Sequence, residues 1–244
     1  MNIANCQIVL VETSHPGNIG AAARAMKNMG LRQMALVNPC EHQVYECYAR
    51  ASGAEDIVDT ASVHSQLADA LADSTLVIGT SARLRSLAWP QHSPRESAAI
   101  IVEHCHQGKV SVVFGRERSG LTNDELALCS SLLNIPTAGE FSSLNVAAAV
   151  QVIAYEVLCA AQTGTQLPAA AEPPEPPASQ QNLEQFYEHF FSVLEQVDYF
   201  DPQNPKHLPL RMRRFFNRAQ PSRSELQVLR GFLSAVEKRA GKTE

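Results

Sequence analysis

Three stretches of this chain combine small residues with polar or charged side chains, in a pattern that suits a ligand site. They are residues 18–24, residues 112–122, and the pair 135–136 with 142–145. In the second and third stretches, an apolar run leads into a loop of small residues and then into a helical pattern. Such loops expose backbone N–H groups and leave room for a ligand. The sequence therefore predicts one cofactor site that is built mostly from main chain.

The sequence lacks the signatures of several other enzyme classes. It contains neither G-x-x-x-x-G-K-[ST] nor G-x-S-x-G, which disfavours a P-loop nucleotide hydrolase and a nucleophile-elbow hydrolase. Residues 17–20 read Gly-Asn-Ile-Gly where a dinucleotide-binding domain has G-x-G-x-x-G, which disfavours a nicotinamide-dependent oxidoreductase. His104-Cys105-His106 resembles a metal-binding cluster. Adjacent residues of a helix point in different directions, however, so we predict no metal site.

The composition indicates a globular, cytoplasmic protein. Of 244 residues, 45% are hydrophobic, and the net charge is −5; both values are ordinary for a soluble domain. No uninterrupted apolar run is long enough to span a membrane, and the N-terminus lacks the basic-then-apolar pattern of a signal peptide. None of the six cysteines forms a C-x-x-C pair, so we expect reduced and mostly buried thiols.

A proline-rich stretch divides the chain into three parts. Residues 164–180 contain five prolines and little that a core could bury, which predicts a semi-extended linker. We therefore predict an N-terminal domain of residues 1–163, a linker of residues 164–180, and a C-terminal extension of residues 181–244.

Apolar runs alternate with helical patterns in the N-terminal domain. This alternation predicts an α/β fold with a largely parallel sheet and right-handed crossovers. Capping boxes formed by Ser93 with Glu96 and by Thr122 with Glu125 indicate two helix starts. A long apolar helix is predicted over 143–161, and we expect it to be packed on most sides. The predicted strands are 7–12, 33–37, 74–80, 109–114 and 131–135, and a further helix is predicted over 18–29.

The C-terminal extension is predicted to be helical. Apolar residues at helical spacing predict helices over 182–197 and 210–218. A third helix is expected to begin at a capping box formed by Ser222 and Glu225. Three short helices make a thin core, so we expect the extension to pack against another surface or a ligand.

One segment of the extension is strongly basic. Residues 206–223 contain six basic residues and no acidic one, with Phe215 and Phe216 among them. This pattern is typical of RNA binding through phosphate contacts and base stacking. It is equally typical of a solvated helix face whose two phenylalanines fill a small core.

The order and spacing of three motifs resemble those of the SPOUT superfamily, the S-adenosylmethionine-dependent RNA methyltransferases. The resemblance covers residues 1–160 and continues over residues 210–239. Residues 10–20 and 80–85 narrow it to a bacterial branch, which 2′-O-methylates the ribose of cytidine or uridine at position 32 of the tRNA anticodon loop. The motifs are N-x-G-x-x-x-R at 18–24, F-G-x-E-x-x-G-L at 114–121, and I-P at 135–136 followed by S-S-L-N at 142–145.

The resemblance implies the fold, the cofactor and the partners. It implies a parallel sheet with a C-terminal trefoil knot, and a homodimer with the active site at the subunit interface. It also implies S-adenosyl-L-methionine as the cofactor and tRNA as the substrate, without a metal or a membrane. Ser142 and Ser143 also suit the cap of the following helix. The residues implied for the cofactor pocket are Thr80, Ser81, Ala82, Gly115, Ile135, Ser142, Ser143 and Leu144.

Arg24 is the central catalytic residue that the resemblance implies, together with Asn18 and Ser143. Because a guanidinium stays protonated near neutral pH, we expect Arg24 to clamp a target phosphate and to stabilise charge on the 2′-oxygen. Asn18 is expected to orient Arg24 or the ribose, or else to cap its helix. Glu117 is expected to hold the motif loop together by pairing with an arginine.

Arginines near the motifs and in the basic segment are the predicted RNA contacts. We expect the enzyme to methylate tRNA at position 32, with the helical extension binding the tRNA. The alternatives are a SPOUT enzyme for another tRNA position or for ribosomal RNA, and an RNA-binding protein without catalysis. Asn18, Arg24 and Glu117 are all present, which favours an enzyme. The predicted RNA contacts are Arg83, Arg85, Arg116, Arg211, Arg213 and Arg214.

Overall fold

The computed structural model of this chain describes residues 3–81, 90–138, 143–163 and 175–240. Its strands are β1 Cys6–Val11, β2 Gln33–Val37, β3 Ser62–His64, β4 Ser74–Thr80, β5 Gln91–His92, β6 Lys109–Phe114 and β7 Ser131–Leu133. Its helices are α1 Pro16–Asn28, α2 Tyr45–Ala51, α3 Glu55–Asp59, α4 Leu67–Leu71, α5 Pro94–His104, α6 Asn123–Ala127, α7 Val146–Thr163, α8 Gln180–Gln196, α9 Leu208–Ala219 and α10 Arg223–Ala240.

The strands form one parallel sheet in the order β3-β2-β1-β6-β4-β7-β5. Every residue of β1 is buried, since the sheet is covered on both faces. Ile8 and Leu10 pack into the core shared with α1, α5 and α7, and Val9 and Val11 pack into the core on the other face. The predicted α/β fold with a parallel sheet is confirmed.

Strand order places three loops side by side. β4 lies between β6 and β7, so the carboxyl ends of these three strands are neighbours. Gly79 is in register with Val113 of β6, and Thr80 is in register with Leu133 of β7. Ligands bind at this edge of open α/β sheets. The trefoil knot is predicted near the cofactor loops, and because residues 82–89 and 139–142 lie outside the described residues, it stays a prediction.

The sequence predicted the long elements better than the short ones. β2, β4 and β6 have the predicted bounds. β1 is shifted by one residue from the predicted 7–12, and β7 ends at Leu133 instead of 135. Two short strands, β3 and β5, and three short helices, α2, α3 and α4, were missed, because so few residues show no clear periodicity.

Helix starts follow the capping chemistry in most cases. The capping boxes that begin α5 and α6 are both present, as predicted. α1 begins two residues earlier than predicted, with His15 as its N-cap, so the alternative that Asn18 caps this helix is wrong. α7 begins at Val146 instead of 143. Asn145 Oδ1 accepts hydrogen bonds from the two backbone N–H groups at the start of α7, at 2.9 and 3.4 Å, so the capping alternative for Ser143 is wrong as well.

The long apolar helix α7 is buried on one side only. Val150, Ile153 and Ala154 are fully buried, and the helix packs against α1 and α5. Val152 and Tyr155 are 36% and 54% exposed, so the expectation of packing on most sides is wrong for the single chain. By length and apolar composition α7 is also a candidate membrane span, contrary to the sequence-based expectation. Its buried side packs against α1 and α5.

The C-terminal helices form a small aromatic core and dock on the N-terminal domain. Phe186 and Tyr187 of α8 are the centre of that core. The backbone N–H of Gln181 donates to the carbonyl of Ala72 at 3.1 Å, and Leu210 packs against the sheet's second core. The expected packing of the extension on another surface is therefore present. Pro177, inside the predicted linker, forms a β-bridge with Ser222.

Candidate active site

The ends of β4, β6 and β7 are joined by hydrogen bonds and form the floor of a pocket. The backbone N–H of Ser81 donates to the carbonyl of Leu133 at 3.0 Å, and Asn134 Nδ2 donates to the carbonyl of Ser81 at 2.7 Å. Thr80 Oγ1 donates to the carbonyl of Val113 at 3.0 Å. These bonds fix the points from which the three loops leave the sheet.

Six of the eight residues predicted for the cofactor pocket line this one pocket. They come from three separate stretches of sequence, and strand order alone brings them together. The other two, Ala82 and Ser142, lie outside the described residues. The six that line the pocket are Thr80, Ser81, Gly115, Ile135, Ser143 and Leu144.

Gly115 is required by the fold of its own loop. A Cβ atom at this position would lie 2.3 Å from the carbonyl carbon of Gly120 and 2.4 Å from the backbone nitrogen of Leu121. The loop turns back tightly, because the N–H of Gly120 donates to the carbonyl of Arg116 at 2.9 Å and Gly120 has a φ of +68°. Glycine tolerates that left-handed conformation at little cost. Both glycines of the second motif therefore shape a wall of the pocket.

A chain of hydrogen bonds connects all three motifs. Asn18 of the first motif donates from Nδ2 to Glu117 Oε1 of the second at 3.1 Å. Asn145 of the third motif donates from Nδ2 to Asn18 Oδ1 at 2.9 Å. The backbone N–H and the hydroxyl of Ser14 each donate to Glu117, both at 3.2 Å. Asn18 therefore ties α1 to the two loops that carry Glu117 and Asn145.

Glu117 has a structural role, but its partners differ from the predicted one. Within the described residues its carboxylate binds Ser14 and Asn18, and not an arginine. Burial alone would raise the pKa of this carboxyl group. Hydrogen bonds from its own N–H, Asn18 and Ser14 outweigh burial, so the pKa of Glu117 lies below its usual range. The carboxylate is therefore ionised at neutral pH and remains an acceptor.

Ser14 and Asn145 had no predicted role in the site, although Asn145 is one of the motif residues whose presence favours an enzyme. Asn145 belongs to the third motif, so its position there was an available signal. Ser14 lies between β1 and α1, outside any motif, and only the tertiary structure shows its contact with Glu117.

Arg24 lies on the exposed side of α1. The opposite side of the helix is buried through Ile19, Ala23 and Met26. Within the described parts of the chain, the Arg24 side chain forms no hydrogen bond or ion pair. The side chain of Asn18 forms hydrogen bonds with Glu117 and Asn145. Asn18 was expected to orient Arg24, but these hydrogen bonds do not involve Arg24. Arg24 is available to an external anion.

Arg116 is held by two carboxylates. Its guanidinium forms two hydrogen bonds with Glu12 and two with Glu125, the latter at 2.9 and 3.0 Å. Hydrogen bonds from Arg116 lower the pKa of Glu12, and hydrogen bonds to Glu12 and Glu125 raise the pKa of Arg116. The predicted contact of Arg116 with an RNA phosphate does not fit this geometry, because two carboxylates neutralise its charge and the four hydrogen bonds use most of its donors. We assign Arg116 to holding the cofactor loop against β1 and α6.

The predicted RNA contacts of the extension lie on α9 and differ in their availability. Arg211 is exposed. Arg213 donates to both oxygens of Glu184, at 2.5 and 2.7 Å, and stands 4.6 Å from the ring centre of Tyr187. Its charge is thus neutralised within the extension, and its predicted phosphate contact does not fit this geometry either. Arg214 is partly exposed. Arg83 and Arg85 lie outside the described residues.

The residues around Cys105 do not converge on a metal. Cys105 is fully buried beside Cys6, whereas His104 Nδ1 lies 2.9 Å from the carbonyl of Ile100 in its own helix. Within the described ranges, no group of three potential ligands is close enough to hold a metal ion.

A parallel sheet with a pocket at its carboxyl edge, and three motifs joined by hydrogen bonds beside that pocket, fits a methylase of the SPOUT class, and comparison with known sequences agrees. Residues 5–155 match the SpoU rRNA Methylase family, and residues 181–244 match the C-terminal domain of the tRNA methyltransferase TrmJ. The chain belongs to the SpoU methylase family and, within it, to the TrmJ group. The resemblance inferred from the motifs is thereby confirmed.

Similar proteins extend this assignment over nearly the whole chain. The tRNA (cytidine/uridine-2′-O-)-methyltransferase TrmJ of Cronobacter sakazakii is 46% identical over 96% of this chain and 97% of its own. The crystal structure of TrmJ from Z. mobilis has a TM-score of 0.81 at 34% identity, covering 95% of this chain and 98% of its own. The SpoU methyltransferase AviRb of Streptomyces viridochromogenes, solved with AdoMet, shares the fold, with a TM-score of 0.53 at 20% identity over 65% of this chain and 61% of its own.

Proposed function

We propose that this protein transfers a methyl group from S-adenosyl-L-methionine to the ribose 2′-oxygen of a cytidine or uridine in tRNA. We further propose that the target is position 32 of the anticodon loop, as the motif resemblance implies. The observation that carries the proposal is the hydrogen-bonded chain Glu117–Asn18–Asn145, which joins all three motifs beside one pocket. The name of the Cronobacter sakazakii relative supports tRNA and the 2′-oxygen.

The pocket residues fit a cofactor with a sulfonium and an adenosine. The glycine at 115 leaves room beside the main chain, and Ile135 and Leu144 offer apolar surface to a ring. Thr80, Ser81 and Ser143 add polar groups that can fix the orientation of a ligand. When bound, S-adenosylmethionine supplies an electrophilic methyl group. The structure of AviRb with AdoMet supports this cofactor for a protein of the same fold.

Arg24 is the proposed catalytic residue for the RNA. Its exposed guanidinium has five N–H donors in a planar fork, which suits a phosphate oxygen pair. A cation held beside the 2′-oxygen stabilises the negative charge that develops there as the proton leaves. Asn18 is a positioning residue, because its bonds run to Glu117 and Asn145. Ser143 lines the pocket and is the third residue that we propose for the catalytic site, beside Arg24 and Asn18.

The exposed face of α7 supports a homodimer. Val152 and Tyr155 lie on this face, and Tyr155 is more exposed than an apolar ring usually is. A second copy of the chain would cover both residues and bring two motif regions together, as the resemblance implies.

The three predicted parts of the chain have separate proposed roles in a cytoplasmic enzyme. We assign the N-terminal domain 1–163 to cofactor binding and chemistry, residues 164–180 to linkage, and residues 181–244 to tRNA binding.

Methyl transfer to unmodified tRNA tests the proposed function. The protein is incubated with labelled S-adenosylmethionine and tRNA transcripts, and the modified nucleotide is mapped by mass spectrometry. A 2′-O-methyl group at position 32 is the expected result. Arg24→Ala should abolish transfer, whereas Arg32→Ala, a control on an exposed arginine outside the three motifs, should retain it.

Other outcomes select the alternatives. Label on a different tRNA residue would contradict position 32 and retain the chemistry. Transfer to ribosomal RNA instead of tRNA would favour the second candidate, which the family description as an rRNA methylase supports. Binding of RNA with no transfer to either would favour a non-catalytic RNA-binding protein.

A further inference from the structure

One face of α9 presents an exposed phenylalanine among arginines. Arg211, Arg214, Phe215 and Arg218 follow the spacing i, i+3, i+4 and i+7, so they share one face of the helix. Phe215 is 51% exposed, although phenylalanine is usually buried. We call these four residues the α9 strip.

Contacts on the other side of α9 fix this orientation. Phe216 packs edge-on against Phe186, with ring centres 4.7 Å apart, inside the aromatic core. Asn217 is 2% exposed and donates from Nδ2 to the carbonyl of Ala127 at 2.9 Å. Phe216 and Asn217, the two residues that follow Phe215, are both anchored. α9 therefore cannot rotate to bury the Phe215 ring. Of the two adjacent phenylalanines, only Phe216 serves the core.

The charged side chains of α9 itself are all positive. Residues 206–223 contain no acidic residue. The side chains of Arg211 and Arg218 are exposed and form no hydrogen bond or ion pair with any residue that the structure describes. Arg213, which does have a carboxylate partner, lies outside the strip. Arg211 and Arg218 thus place two unneutralised cations in the strip beside the accessible ring of Phe215.

We propose that the α9 strip binds unpaired nucleotides of the RNA substrate. Phe215 stacks on one base, and the arginines contact the phosphates on either side. A duplex keeps its bases stacked on each other and cannot offer one to Phe215, so the site selects a single-stranded segment. The proposal rests on the proposed function for RNA as the ligand, and it adds the strand type and the stacking residue.

The position of α9 suits this role. Leu210 and Arg213 on the neighbouring face border a groove that Glu12 and Arg116 also line. Arg116 lies in the loop of the cofactor pocket as well. A nucleotide on the strip is therefore held on the part of the extension that adjoins the motif loops.

Two matched leucine variants test the stacking. Phe215→Leu removes the ring from the strip. Phe232→Leu makes the same change at a 66% exposed position of α10, outside the strip. Affinity is measured by fluorescence anisotropy with an RNA hairpin that has an unpaired loop, and with a blunt duplex of the same length. Phe215→Leu loses one base stack, so its affinity for the hairpin should be about 5- to 150-fold lower than that of the wild type. Duplex binding by this variant and both affinities of Phe232→Leu should be unchanged.

Two further variants separate stacking from charge and from fold. Phe215→Trp keeps an aromatic face and should restore hairpin affinity. Arg211→Gln should lower the slope of log affinity against log salt by roughly 0.7–0.9, the value for one phosphate contact, whereas Phe215→Leu should leave it unchanged. In the transfer assay, Phe215→Leu should raise KM for tRNA and leave kcat at saturating tRNA unchanged.

Several results would overturn the proposal. They are unchanged hairpin affinity of Phe215→Leu, equal losses for hairpin and duplex, and no rescue by Phe215→Trp. A change in sedimentation of Phe215→Leu without a change in RNA affinity would show that Phe215 contacts another protein chain, which also overturns it. The hairpin comparison needs no methyl transfer. If the wild-type protein instead bound RNA but methylated none, the proposed function would fail and the stacking proposal would still be testable by binding.

Discussion

Replacing Gly115 with alanine should disable the cofactor pocket through a single methyl group. The added Cβ would lie 2.3 Å from the carbonyl carbon of Gly120, and an ordinary contact begins at 3.4 Å. The backbone of the turn must therefore move by roughly 1 Å. Backbone has no alternative rotamer, so the loop itself shifts. Overpacking of this kind costs about 1–3 kcal/mol, and a 1 Å displacement near a reacting centre can reduce rates about 100-fold.

The control for this variant is Gly231→Ala in α10. A Cβ atom at position 231 meets nothing within 4 Å, so the same change has no steric cost there. It should stabilise the exposed helix by about 0.5–1 kcal/mol, because glycine is a poor helix former. S-adenosylmethionine binding by calorimetry and thermal unfolding are measured for both variants. If Gly115→Ala bound the cofactor with wild-type affinity and unfolded at the wild-type temperature, the steric reasoning would be refuted.

Three further predictions concern the hydrogen-bond networks. The pKa of Glu117 is lowered in the folded protein, so its ionised carboxylate stabilises the fold above the unfolded pKa of about 4.3. This stabilisation is lost as the pH falls through the folded pKa. The free energy of unfolding in urea should therefore differ less between pH 6 and pH 3 for Glu117→Gln than for the wild type. Asn217→Leu removes the Asn217 acceptor of the Tyr187 hydroxyl, which keeps the carbonyl of Arg213 at 3.2 Å, and takes the side-chain donor away from the carbonyl of Ala127. It should lower the free energy of unfolding by about 1–3 kcal/mol, whereas an unchanged stability would contradict the anchoring role. Arg116→Lys keeps one charge but loses the fork, so cofactor affinity should fall measurably by calorimetry, and an unchanged affinity would show that the loop does not need this clamp.

Local patterns in the sequence were sufficient for most of the fold. The strands at Gln33–Val37, Ser74–Thr80 and Lys109–Phe114 are runs of branched apolar residues, and burial on both faces of a sheet requires such runs. β3 and β5 have three and two residues, and their pairing with neighbouring strands, not their own sequence, makes them strands. Short elements of that kind leave no periodic signal.

The site was predictable in its members but not in its contacts. The motifs identified Asn18 and Glu117, which are 99 residues apart, yet their hydrogen bond depends on β1 and β6 being neighbours. Arg116 was expected to face RNA, because an arginine in a ligand loop often does. Its partner Glu12 is 104 residues away, so the sequence alone gave no sign that the charge is neutralised. Contacts between distant residues follow from strand order, which the pattern of one sequence does not determine.

A crystal structure of the protein with S-adenosylmethionine would test whether the loops that follow β4, β6 and β7 form one cofactor pocket. We expect density between the loops at Gly115, Ile135 and Leu144, with Asn18 still bonded to Glu117. Density in any other part of the molecule, such as the groove beside α9, would contradict it.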